Sequence, residues 1–271
     1  MKFRMCFVFV VSVFLMGSSG AALASDTHDF GTRCQQDFQN DWQSSLPNTY
    51  RACSSFNETM MDAGNQRRFY YNLQNTSATQ YRLHDVGDHT THGADTLTGL
   101  FVATHGGAFS GRWVYTLHED GEYAESNKMR LGDDAKELRL LMSYSCDTMK
   151  GDSDFVQRWR NVFRGGLSYA TGAHGDLYFY GSRRTMRSIG DDLATEMVEG
   201  TTMRSAWRIA FKDRSSRWNS NDNSPAVLAV QKNSADCAHW RQNATWTNID
   251  GYIQDRDHNA RIYCWTRWTD I

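Results

Sequence analysis

LTGLFVATHGG, residues 97–107, decides how the rest of the chain is read. Leu97 to Thr104 is apolar and β-prone, and it is shorter than an ordinary helix, so it predicts a strand. The run stops abruptly at His105-Gly106-Gly107. A second stretch of the same kind, LRLLMSYSC, predicts a strand over Leu138 to Ser143 and ends at Tyr144-Ser145-Cys146. Strands that are continuously apolar, rather than alternating, belong in a parallel sheet buried on both faces. In such a sheet ligands bind outside the carboxyl ends of the strands. If the two strands are neighbours, an imidazole and a thiol emerge at one rim.

Outward from these strands the pattern continues. After Cys146, the polar Asp152, Ser153 and Asp154 precede Phe155, Trp159, Val162 and Phe163 at helical spacing, and Gly165-Gly166 supplies a left-handed stop. Leu167 to Thr171 predicts a short strand, 186–199 and 202–212 predict helices, and Ala226 to Val230 predicts another buried strand. Strand and helix alternating in this way point to an α/β open sheet. Upstream, Arg67 to Leu73 reads as an aromatic strand and 111–130 as a hairpin around Trp113-Val114-Tyr115. Residues 25–66 are polar and predict irregular structure with a helix or two. The aromatic tail after Cys237 predicts a β-rich flap.

Compartment comes from the first residues and from the cysteines. Lys2 and Arg4 precede the apolar run Phe7 to Met16, and Ala22-Leu23-Ala24 has the form cut by signal peptidase. The run is shorter than the ~20 residues that a membrane span needs. The expected division is a signal peptide at 1–24, an N-terminal extension at 25–66, a main α/β domain at 67–235 and a C-terminal extension at 236–271. The chain is then secreted or periplasmic. A net charge of −2 gives no reason to invoke nucleic acid or an anionic membrane.

Cys6 leaves with the signal peptide, and Cys34, Cys53, Cys146, Cys237 and Cys264 remain. Export permits disulfides. Local pairing of Cys34 with Cys53 and of Cys237 with Cys264 would tie the two terminal extensions, although spacing alone leaves other connectivities open. The odd cysteine is then Cys146. An imidazole beside it can take the thiol proton or hold a thiolate, and a helix starting soon after it would add a positive dipole end. These neighbours predict a thiol that titrates below its free value. The thiolate would attack a carbonyl, with backbone N–H groups of Gly106, Gly107 and Cys146 placed to hold the oxyanion.

An apolar strand ending in His-Gly, followed by one ending in a small residue and Cys, resembles the caspase-like cysteine peptidases of clan CD. These include caspases, gingipains, legumains and the CHAT proteases. LFVATHGG matches the His block and LRLLMSYSCDT the Cys block, and FVQRWRNVFRGGLSYATGAHG is similar to the CHAT continuation. The likeness covers about 95–230 at the level of fold. It implies a three-layer caspase-hemoglobinase-like sandwich with a mostly parallel central sheet. It also implies His105 as general base or acid, Cys146 as nucleophile, Gly106 as oxyanion donor, a peptide or protein substrate, and no cofactor. Ser145 departs from the usual Ala before Cys, and no acidic-substrate pocket is legible.

Two other functional classes compete. A catalytically silent module could use the same crevice, with Trp240, Trp246, Tyr263, Trp265 and Trp268 holding a peptide or glycan. A metal-dependent hydrolase could use the polar loop with His84, Asp85, Asp88, His89, His92 and Asp95, although no HExxH is present and Gly87 and Gly93 favour a loop. Arg158, Arg160, Arg164, Arg183, Arg184 and Arg187 form a basic group in sequence, more readily a solvated helix face than a peptide-binding patch. Asn57, Asn75 and Asn243 stand in glycosylation sequons.

Overall fold

A computed structural model describes residues 28–38, 45–73, 83, 94–117, 122–132, 138–177, 183–215, 224–249 and 262–268. The candidate signal peptide lies outside them. The apolar stretches form the middle of a seven-stranded sheet. The strands are β1 (Asp29–Gln35), β2 (Gln66–Leu73), β3 (Gly99–Ala103), β7 (Leu140–Tyr144), β8 (Tyr169–His174), β9 (Ser224–Gln231) and β10 (Ile262–Arg267), in the order β10-β9-β8-β7-β3-β1-β2. The pairs β1–β2, β1–β3, β3–β7 and β7–β8 are parallel. β9 and β10 are added antiparallel.

Side chains alternate between two cores, as a strand's period of two requires. Phe101, Ala103, Leu140, Met142 and Tyr144 enter one cluster, and Leu100, Val102 and Leu141 enter the other. On the first face lie α1 (Thr49–Asp62), α3 (Arg183–Val198) and α4 (Met203–Ser215), which contribute Phe56, Ile189 and Trp207 among others. On the second lie α2 (Phe155–Arg160) and a small antiparallel sheet of β4 (Gly106–Phe109), β5 (Arg112–Thr116) and β6 (Tyr123–Glu125). A last helix, α5 (Ser234–Asn243), precedes β10, and its Asn233 cap accepts the Asp236 N–H at 2.9 Å.

Both terminal segments differ from their expected form. Residues 25–66 supply an interior strand as well as a helix. β1 sits between β2 and β3, and Thr32 and Arg33 are buried in it. Its polar composition hides it, because the neighbouring strands and α1 bury it rather than its own hydrophobicity. The tail supplies α5 and an edge strand. Cys34 of β1 is bonded to Cys53 of α1, and Cys237 of α5 to Cys264 of β10. Each bridge joins a helix to the sheet. No helix among the described residues is long and apolar enough to cross a membrane.

Other sequence readings change in structural terms. The Arg group is divided between faces, since α2 packs in the second core and α3 in the first. Arg158 is buried, bonds Asp152 at 2.6 Å and donates to the Lys150 carbonyl. It is an internal brace rather than part of a solvated face. Trp246 is buried in the first core, which Trp240 and Trp268 also contact, while Tyr263 and Trp265 pack on the second. Asn57 is buried and donates to Thr32 Oγ1 at 2.9 Å, which removes it as a glycan acceptor.

Candidate active site

The β3–β7 register pairs Ala103 with Tyr144. The Thr104 N–H donates to the Tyr144 carbonyl at 3.4 Å, so the strands remain together past this pair. His105 and Cys146 each come two residues after these strand ends. Neighbouring strands run about 4.8 Å apart, so both residues lie at one sheet edge. Gly106 makes the approach tight. A Cβ there would fall 2.6 Å from the Cys146 carbonyl oxygen and would overlap Ser145 Oγ. Only glycine leaves room for the two chain ends to meet.

Each residue is held by its backbone. The His105 carbonyl accepts the Thr116 N–H of β5 at 3.0 Å, and Thr104 Oγ1 donates to the Thr116 carbonyl at 2.8 Å. The half-buried imidazole lies against Phe38, with ring centroids 4.8 Å apart. Phe38 follows β1, so a residue beyond a third strand end packs on the imidazole. Cys146 opens a turn braced on β8. The Asp147 and Met149 N–H groups donate to the Gly175 and Ala173 carbonyls at 2.9 and 2.8 Å. Trp159 of α2 donates its indole N–H to the Thr148 carbonyl at 3.0 Å. Asp147 has φ 53°, a left-handed conformation that Asp tolerates better than most residues.

Cys146 is the free cysteine among the described residues. Its sulfur receives the Leu177 N–H at 3.2 Å and faces the Leu177 carbonyl at 3.6 Å. Burial pushes the thiol up to about 11. The Leu177 N–H opposes that rise, the Asp176 and Asp147 carboxylates add to it, and a Gly106 backbone hydrogen bond opposes it. This reverses the expected direction. In the resting molecule the sulfur is protonated at neutral pH, and the physical reason is desolvation beside two acids. No helix starts directly after Cys146, since α2 begins only at Phe155. Asp147 is itself raised, first by burial.

The two glycines after His105 differ in what they can offer. Because His105 and Thr116 exchange a ladder bond, Gly107 and Phe109 are the next residues bonded to β5, while Gly106 and Ala108 direct N–H and C=O away from it. The Gly106 N–H therefore faces the thiol, and the Gly107 N–H is taken by β5. Sequence reasoning missed Leu177, Asp176 and Phe38. Their signals are faint, and only the turn at Gly175, with φ 98°, marks where β8 delivers the first two.

Most of the candidate metal loop (His84, Asp85, Asp88, His89 and His92) lies outside the described residues. Asp95 is buried and accepts the Gly132 N–H at 2.6 Å, which occupies it structurally. No group of three or more His, Cys, Asp or Glu side chains suited to a metal occurs among the described residues.

The chain belongs to the family described as Domain of unknown function (DUF6345), whose model matches residues 35–269. No curated protein matches it. Among solved structures it is similar to the caspase-1 crystal structure from Spodoptera frugiperda, at 12% identity and a TM-score of 0.44, over 90% of this chain and 89% of that one.

Proposed function

We propose that this DUF6345 protein is an exported caspase-like cysteine peptidase with Cys146 as nucleophile and His105 as proton carrier. The observation that supports it most is that His105 and a free thiol each stand two residues past the carboxyl end of one of two adjoining parallel strands. The two disulfides and the apolar N-terminal run favour a secreted or periplasmic location.

A thiol raised to about 11 calls for general-base catalysis rather than a resting thiolate. His105 takes the Cys146 proton as the sulfur bonds to the substrate carbonyl carbon. The Gly106 and Cys146 N–H groups receive the oxyanion. The C–N bond breaks, the leaving amine takes the proton from His105, and an acyl thioester remains. Water then attacks the thioester, giving its proton to His105, and the sulfur leaves and is reprotonated. No cofactor is needed in this scheme.

The test is cleavage of an unfolded protein mixture, followed by mass spectrometry of new termini. Cys146→Ala and His105→Ala should each reduce cleavage by about 1000-fold or more. Full cleavage by Cys146→Ala would overturn the proposal. Loss on chelation instead would favour the metal-dependent hydrolase. The raised thiol favours a second reading, a catalytically silent peptide- or glycan-binding module of the same fold. Under that reading the wild type cleaves nothing and Cys146 resists alkylation until the protein unfolds.

A further inference from the structure

β4 begins at the residue after His105 and forms one edge of the small sheet, whose order is β4-β5-β6. Among the described residues no strand pairs with its other side. The ladder alternation set by the Thr116–His105 bond turns the N–H and C=O of Ala108 toward that open side, together with those of Gly106. This side is continuous with the thiol, since the Gly106 backbone hydrogen-bonds Cys146, and a Cβ at Gly106 would meet Ser145 and Cys146. Gly107, Ala108 and Phe109 are all at least partly accessible, and Phe109 is 51% exposed. The Phe109 ring lies over bare Gly107, where a Cβ would stand 3.5 Å from it, and Arg112 sits 5.5 Å from its centroid. An apolar shelf therefore flanks the Ala108 peptide groups, which no described strand pairs, beside the candidate nucleophile.

We infer that β4 is the substrate-docking strand: an extended polypeptide pairs its main chain with Ala108 and lays a side chain on Phe109, with its scissile carbonyl carried to Cys146. The inference rests on the thiol chemistry proposed above. It names the substrate class as unfolded or extended polypeptide rather than a small amide, because strand addition needs consecutive peptide groups on the ligand. Exposed strand edges are ordinarily blunted by charge, proline or a covering element. β4, with two glycines and an alanine, has none of these devices of its own.

The test uses an aza-peptide Michael acceptor carrying three residues on each side of its electrophile, and iodoacetamide as a small control. In the wild type, Cys146 should be labelled by the extended reagent at least tenfold faster than by a truncated form. Methylating the one amide nitrogen that meets Ala108 should cancel the gain. Ala108→Pro deletes an N–H that β5 does not use, so the hairpin keeps its own bonds. This variant should lose the advantage of the extended reagent while its iodoacetamide rate stays the same. Equal rates for long and short reagents, or indifference to every N-methyl position, would overturn strand docking while leaving the thiol's role intact. The wild-type N-methyl series gives that result even if Ala108→Pro does not fold. No labelling of native Cys146 by any reagent would overturn the thiol reading and this inference together.

Discussion

Cys34 and Cys146 both lie near the carboxyl edge of the large sheet, and the molecule holds them in opposite ways. Cys34 is level with Ala103 in the β1–β3 register, fully buried and bonded to Cys53. Cys146 stands two residues past the neighbouring row, half-buried, and is held by hydrogen bonds involving Leu177 and Gly106. One sulfur ties a largely polar strand to α1. The other is kept close to its backbone partners by bonds weak enough to exchange. The difference sets a cross-linked sulfur beside a free one within a single sheet edge.

The largest effect expected from breaking this contrast is on the tied sulfur. Replacing Cys34 and Cys53 together by Ala should lower unfolding stability by about 3 kcal/mol, the loop-closure value for a bridge of this span, measured in denaturant titrations. Retained stability would mean that β1 is held by packing alone.

The next effect sharpens the description of the free sulfur. Native alkylation of Cys146 should keep rising with pH toward about 11, well above a free thiol. The folded value is raised, so its stability contribution is complete below the ordinary 9.0 and is lost as pH climbs from there through about 11. Melting curves of wild type and Cys146→Ala should differ in that window. A labelling midpoint below 9 would refute the desolvated thiol.

The smallest effect isolates one carboxylate. Asp176→Asn should move the labelling midpoint downward, by less than burial raised it, because the Asp176 charge ranks behind desolvation among the causes. An unchanged or upward midpoint would remove Asp176 from the account.

What could be read in the sequence follows from how each residue is buried. β3 and β7 announce themselves because both faces are apolar, and His105 and Cys146 stand out by ending such runs. β1 is silent because Asp29, Thr32 and Arg33 are buried by their neighbours. Arg158 looked like surface charge, although its partner Asp152 lies only six positions upstream. The direction of the Cys146 shift was illegible for another reason: it is set first by burial, and the elements that enclose the sulfur, including the segment of Asp176 and Leu177 after β8, are distant in sequence.

The two bridges also bear on the order of assembly. Their half-cystines are separated by 19 and 27 positions, so each ring closes within its own end of the chain. Oxidation at the leading end can be finished on a nascent polypeptide before β3 or β7 exists to pair with. Joining β3 to β7 closes a somewhat longer loop, 41 positions from Ala103 to Tyr144, at slightly greater entropy cost. The middle of the chain, which carries Cys146, is left without a cross-link among the described residues.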